Sequence, residues 1–198
     1  VLLLDEPLAA LDASTRATVR GELRTILREL ELPTVLVTHD YADAAALADR
    51  VGVLVDGKLV QVGRPAELVA APATTFVAEF TGVNLLSGAA RRLDGGLVAV
   101  TLGDGTRVVS ADRLEGPVGV VVYPWDVTLA REAPPDSALN HLRAPIASIV
   151  PFGNRVRVQV GPLAAEITAA SAERLRLAVG EPVVASFKAT STRLVALG

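Results

Sequence analysis

Two short uninterrupted apolar runs, residues 1–4 and 35–37, most restrict what the first part of this chain can become. A continuous aliphatic run suits a buried strand of a parallel sheet, because a strand with one wet face alternates instead. Between the runs, Val19, Leu23, Ile26, Leu27 and Leu30 recur at helical spacing and predict one buried face of a helix over about 14–30. Asp12 or Ser14 suits its N-cap and Pro33 its stop. A short Ala-rich helix follows over 41–48, with Asp40 near its start. Residues 51–55 and 58–62 flank Asp56-Gly57, a hairpin signal. Pro65 suits the first position of another helix. Strand, helix and strand in alternation predict an α/β unit with a parallel sheet.

At 198 residues the chain has room for one or two domains. Hydrophobic residues make up 51% and aromatics only 4%, so the core has to be built from Ala, Val, Leu and Ile. A chain this apolar with a net charge of −3 is not of the disordered class. The absence of cysteine excludes a disulfide scaffold, an iron–sulfur cluster and a thiolate zinc site, and two histidines argue against a multi-histidine metal centre. No apolar run reaches the roughly eighteen residues of a membrane span, and nothing at the start has the pattern of a signal peptide. The sequence contains no methionine and opens within an apolar run, which predicts that it is the C-terminal part of a longer protein.

Charge and pattern change near residue 81. Residues 1–80 carry 7 basic and 12 acidic side chains, net −5; residues 81–198 carry 12 and 10, net +2. The second part predicts short strands at 97–102, 107–110, 118–123, 155–160, 182–187 and 192–197, with one helical turn near 172–177. Short strands separated by Gly and Pro turns suit small barrels. Ala133-Pro134-Pro135-Asp136 has the composition of a hinge between two β subunits, about 82–133 and 137–198.

The residues that follow the two apolar runs carry chemistry. Asp5 and Glu6 come after the first, Thr38-His39-Asp40 after the second. Hydrolysis of a phosphoryl group needs a carboxylate for Mg²⁺, usually held through water, a group to orient the attacking water and a polar contact to the γ-phosphate. Asp5, Glu6 and His39 are the residue types for those roles. Here the sequence resembles the ATP-binding subunits of ABC transporters, importer type. Leu2-Leu3-Leu4-Asp5-Glu6-Pro7 is similar to the Walker B motif, Ala10-Leu11-Asp12 to the D-loop and Thr38-His39-Asp40 to the switch histidine. Ala48-Asp49-Arg50-Val51 and the stretch from Asp56 to Gly63 continue the likeness through residue 80. The resemblance implies that Asp5 coordinates Mg²⁺ through water and that Glu6 polarises the attacking water. His39 would contact the γ-phosphate, and Asp12 would reach a partner ATPase subunit. The GxxxxGK[ST] phosphate loop, the Q-loop and the LSGGQ-type signature do not occur in the chain. The chain alone is therefore expected to be inactive.

Residues 82–198 resemble the accessory TOBE/Mop-like β domains found after such ATPases, nearest the group that binds molybdate and related oxyanions. Ser137-Ala138-Leu139-Asn140, Gly153-Asn154-Arg155-Val156, Ala165-Glu166-Ile167-Thr168 and Ser186-Phe187-Lys188-Ala189-Thr190 carry that likeness. It implies an oxyanion site at Ser137, Asn140, Lys188 and Thr190. A tetrahedral anion needs converging donors and one cation, and Lys188 is one of only two lysines among 19 basic residues. Lys188 reads equally well as an edge-strand lysine that discourages pairing. Leu139 and Ala189 stand where the family pattern has Arg and Ser, so two contacts are missing. His141 reads as a surface histidine beside a strand rather than as a substitute for the missing charge, and Trp125 as a residue packed in a barrel or between units.

The expected fold is thus a partial α/β P-loop ATPase over 1–81, followed by all-β OB-like barrels over 82–198. The expected function is the C-terminal part of an ABC importer ATPase for molybdate or a related oxyanion, with a regulatory or dimerising β domain. The cofactors would be ATP and Mg²⁺, with molybdate or tungstate in the β domain. The partners would be a second ATPase subunit and transmembrane permease subunits, at the cytoplasmic face of the membrane. A stand-alone oxyanion-binding module and an importer ATPase for sulfate, ferric iron, a sugar or a polyamine are the alternatives. A net charge of +2 with few aromatics in the β part offers no surface for nucleic acid.

Overall fold

The computed structural model describes residues 1–197, which form two compact units, Val1–Thr81 and Gly82 onward. In the first unit, β1 (Leu2–Asp5) pairs in parallel with β2 (Thr34–Val37), from Leu2↔Thr34 to Asp5↔Val37. The crossover between them carries α1 (Ala13–Leu30). Asp12 caps α1 by accepting the Thr15 N–H at 3.1 Å; the side chain of Ser14, the other capping candidate, lies outside the described residues. After β2 come α2 (Tyr41–Leu47) and the hairpin of β3 (Val51–Val55) and β4 (Lys58–Gly63), followed by α3 (Pro65–Ala70) and α4 (Thr75–Thr81). Asp56 and Gly57 both take positive φ, 48° and 74°, as the tight turn between antiparallel strands requires.

The buried cluster of this unit, Ala44, Val51, Val53, Leu68 and Val77, comes entirely from the segment after β2. The strands β1 and β2 are covered on one face only: Leu2, Leu4, Thr34 and Leu36 are half-buried, while Leu3 (73% exposed), Val35 and Val37 face outward. This corrects the expectation of strands buried on both sides. The uninterrupted apolar run is present, but among the described residues nothing packs on its second face.

The second unit is built from two five-stranded sheets. They contain β5 (Asn84–Arg92), β6 (Val98–Leu102), β7 (Arg107–Ser110), β8 (Gly116–Val122), β9 (Thr128–Ala130), β10 (Asn140–Phe152), β11 (Arg155–Val160), β12 (Leu163–Thr168), β13 (Pro182–Phe187) and β14 (Thr192–Ala196). The orders are β14-β8-β5-β6-β7 and β12-β11-β10-β13-β9. Each sheet curls until its two edge strands approach one another. Residues 133–136 run between β9 and β10, which both lie in the second sheet, so they do not separate two independent sheets; the sheets trade their final strands, β9 joining the second and β14 the first.

The exchange is symmetric. Thr192, Arg193 and Leu194 pair with Val122, Val121 and Val120, while Thr128, Leu129 and Ala130 pair with Ser186, Ala185 and Val184. Each traded strand follows a 3₁₀ turn, Pro124–Asp126 or Ala189–Ser191. The unit is therefore an internal duplication, interrupted by α5 (Ala169–Leu175) in the second half only. That helix runs earlier than the turn expected near 172–177, because Thr168 caps it by accepting the Ser171 N–H.

One hydrophobic core serves both sheets. Val100, Val108, Val118, Val120 and Val122 from the first meet Ile146, Val158, Val160, Leu163, Ala185 and Phe187 from the second. Full burial of such side chains contributes about 1.5–3 kcal/mol each.

Candidate functional site

The parallel register brings the ends of β1 and β2 side by side, and the chemistry-bearing residues leave both strands at that end. Glu6 turns off β1 with φ 46°, a left-handed conformation uncommon for a residue with a side chain. Its N–H still bonds the Val37 carbonyl at 2.9 Å, so the turn is anchored to the neighbouring strand. His39 stands two residues beyond β2, and its Nδ1 lies 2.7 Å from Glu6 Oε1. With the proton on Nδ1, the imidazole donates to the carboxylate and leaves Nε2 directed elsewhere. Glu6 is half-buried, whereas His39 is exposed. A carboxylate fixed by one neighbour retains lone pairs for a water molecule.

Asp5 is exposed at the last position of β1, one residue before Glu6 in the chain. Among the described residues no three His, Asp or Glu side chains converge as a metal cage. A single carboxylate nevertheless suits Mg²⁺, which keeps several waters and takes one or two protein ligands plus phosphate oxygens. Asp12 lies at the start of α1, where its carboxylate caps the helix.

Two ion pairs tie α1 to α2 behind the site. Arg16 Nη1 lies 3.2 Å from Asp40 Oδ2, and Arg20 Nε bonds Asp43 Oδ1 at 2.6 Å. Asp40 also caps α2 by accepting the Asp43 N–H at 3.0 Å. Neither arginine was singled out by sequence reasoning. The signal was present: Arg16, Arg20, Arg24 and Arg28 recur every fourth residue and therefore share one face of α1. Arg24 and Arg28 line a depression of about 1260 Å³, whose wall also includes Glu6, Thr38 and His39.

In the β unit, the ladder between β10 and β13 ends at Asn140↔Phe187. Residues 137–139 and 188–190 therefore leave the sheet at the same end, and Ser137, Leu139, Lys188 and Thr190 are all exposed there. Lys188 precedes the 3₁₀ turn Ala189–Ser191 and makes no side-chain cap bond. It is not on the ladder itself, so the edge-strand reading does not apply.

Asn140 requires a correction. It is 1% exposed, its Oδ1 accepts the Val109 N–H at 2.7 Å and its Nδ2 donates to the Val109 carbonyl at 2.9 Å. Its amide oxygen and nitrogen both bond the backbone of β7, and burial leaves it almost no surface to offer an anion. His141 is exposed on β10, with Nδ1 2.8 Å from the Ser186 hydroxyl. Trp125 is 57% exposed rather than packed in the barrel, and its ring stacks on Tyr123 with centroids 5.1 Å apart. The duplication puts Tyr123 and Trp125 at the places that Lys188 and Thr190 take in the other half.

Residues 136–194 match the TOBE domain family. The chain is 37% identical over 193 residues to the sulfate/thiosulfate import ATP-binding protein CysA of Burkholderia mallei, covering 93% of this chain and 52% of that protein. It is 35% identical over 199 residues to the molybdate/tungstate import ATP-binding protein WtpC of Pyrococcus abyssi, covering 98% and 56%. With the spermidine/putrescine import ATP-binding protein PotA of Thermobifida fusca it shares 36% identity over 156 residues, 77% and 40% of the two chains. The chain thus spans about half the length of the curated relatives it matches. Among solved structures, the molybdate-bound form of the cytoplasmic molybdate-binding protein ModG covers 58% of this chain and 96% of its own. The TM-score is 0.52 at 21% identity, a likeness of fold.

Proposed function

We propose, for a chain that is a TOBE-bearing relative of the ATP-binding proteins of ABC importers, that residues 1–81 complete the hydrolytic side of a P-loop ATPase site. Residues 82–198 then form its regulatory β domain. The observation that carries this reading is the 2.7 Å contact between Glu6 and His39 at the ends of adjacent parallel strands. Glu6 orients and polarises the attacking water. His39 holds Glu6 through one ring nitrogen and presents the other to the γ-phosphate. Asp5 would hold Mg²⁺ through water, and the ion would offset phosphate charge. Asp12 would face a second ATPase subunit, since such sites are completed across a dimer. Coupling to transport places the assembled protein at the cytoplasmic face of a membrane, against permease subunits.

The cargo fits an oxyanion best. Relatives that import sulfate/thiosulfate and molybdate/tungstate cover more than nine-tenths of this chain. In the β domain, Lys188, Ser137 and Thr190 offer one cation and two hydroxyls at one end of a sheet, with Asn140 removed from the set. Molybdate or tungstate is the proposed ligand there, bound weakly because Leu139 and Ala189 contribute no polar side-chain contact. A polyamine cargo is the second reading, which the spermidine/putrescine relative favours.

The test is Glu6→Gln in the complete ATP-binding subunit. ATP binding should persist while turnover falls to a small residue; normal turnover would remove Glu6 from the role. The 198-residue chain alone, which contains no phosphate loop, should release phosphate far below the usual enzyme range of about 1 s⁻¹ and above.

A further inference from the structure

Arg16 makes contacts in the first unit that the hydrolytic reading does not use. Its guanidinium reaches two segments at once. Nη1 pairs with Asp40 Oδ2 at 3.2 Å, and Nη2 approaches the carbonyls of Ala9 and Leu11 at 3.4 and 3.5 Å. Ala9 and Leu11 belong to the loop that leaves Glu6, and the Ala9 N–H bonds the Glu6 carbonyl at 3.2 Å. Asp40 is the residue after His39. Arg16 therefore ties the loop on the Glu6 side to the segment on the His39 side.

The chemistry suits this bridge. A planar guanidinium can donate to a carboxylate and to carbonyls in different directions, which a lysine ammonium on a flexible stem does less well. Asp40 is held from its other side by the Asp43 N–H on Oδ1 and by its own N–H on Thr38 Oγ1 at 3.1 Å. Both partners are largely screened from solvent, with side-chain exposures of 23% and 29%. Docking of α1 on α2 has a second and more buried support one helical turn along, the Arg20–Asp43 pair. The helices thus have a fastening that touches neither loop.

We infer that Arg16 is a positioning residue that sets the Glu6–His39 geometry by bridging the 9–11 loop to Asp40. The inference rests on the proposed hydrolytic role of Glu6 and His39. Misplacement of reacting groups by about 1 Å costs on the order of 100-fold in rate, so the bridge acts on kcat rather than on nucleotide affinity.

The experiment compares kcat and KM for ATP in the complete subunit among Arg16→Gln, Asp40→Asn, their double variant and Arg16→Lys. Asn keeps the capping function at residue 40 while losing the charge. The control is Arg20→Gln combined with Asp43→Asn, which removes the other α1–α2 pair without leaving a buried charge alone. The two single variants should each lose about 10- to 100-fold in kcat, with KM changed by less than about twofold. The double variant should be no worse than either single one, and Arg16→Lys should fall between Gln and Arg. The control should lower the melting temperature and keep kcat. Equal loss of kcat in the control would reduce Arg16 to helix docking and overturn the inference. An unchanged kcat in Arg16→Gln, with Glu6→Gln inactive, would overturn it while leaving the hydrolytic reading intact. An active Glu6→Gln would remove both.

Discussion

Asn84 and Asn140 make the same bracket in opposite directions: each begins the first strand of one half of the β unit and grips a backbone in the other half. Asn84 exchanges two hydrogen bonds with Ala164 of β12, at 2.9 and 2.7 Å, and Asn140 exchanges two with Val109 of β7. Both are buried. Together with the traded strands β9 and β14, the brackets make each half incomplete without the other.

Replacing either asparagine by alanine leaves a buried N–H and C=O unpaired, at roughly 1–3 kcal/mol per group. Asn84→Ala and Asn140→Ala should each destabilise the β unit by about 2–6 kcal/mol, read by urea unfolding. Asn140→Ala should leave any oxyanion affinity of the folded protein unchanged. A loss of affinity without a loss of stability would return Asn140 to the anion site.

The two strands that end before Glu6 and His39, the Asp56-Gly57 hairpin and six strands of the β unit were legible because each rests on local pattern; β5, β10 and β12, whose runs are interrupted by Ala, Gly or Pro, and the three-residue β9 were not. An apolar run that stops at a charged residue marks a strand end, and two parallel strands align their ends. The duplication was not legible, because its halves share a pattern rather than residues. The first reads Val122-Tyr123-Pro124-Trp125-Asp126, where the second has Phe187-Lys188-Ala189-Thr190-Ser191, and α5 breaks any constant period. Asn140 was misread for a different reason: an amide serves an anion or a backbone equally well, and only burial decides. The exposed face of Leu3, Val35 and Val37 was illegible because composition cannot say what covers a strand.

Oxyanion binding gives a direct test of Lys188. One charge-assisted hydrogen bond contributes about 1.5–3 kcal/mol, or one to two powers of ten in affinity. Calorimetric titration with molybdate or tungstate should show weak binding, tighter than for sulfate. Lys188→Ala should weaken it by that factor. Equal affinity in the two proteins would exclude Lys188, and no heat at millimolar anion would leave the β domain a purely structural role.

Two carboxylates of the β unit give opposite pH dependences. Burial pushes the Asp126 carboxyl above its ordinary value of 3.8, so the folded state holds that proton more tightly than the unfolded chain does. Its contribution to stability therefore falls as pH rises from 3.8 through the raised folded value. Asp126→Asn should raise the melting temperature at neutral pH and leave it unchanged in strong acid. Asp104 is lowered from 3.8, first by the Thr106 backbone N–H at 2.8 Å and then by the Thr106 side chain. Its contribution is present above 3.8 and is lost as pH falls through the lowered value. Asp104→Asn should reduce stability at neutral pH only. The same pH profile for the two variants would contradict the assignment.

In the proposed function Glu6 and His39 act as one hydrolytic pair. A double-mutant cycle on ATP turnover by the complete subunit tests it most directly, using Glu6→Gln, His39→Ala and the two combined. Groups that act as a unit are non-additive. Each single variant should lose about 100-fold or more, and the combined variant should be no slower than the slower of the two. Losses that multiply in the combined variant, or a His39→Ala protein with unaltered turnover, would contradict the account.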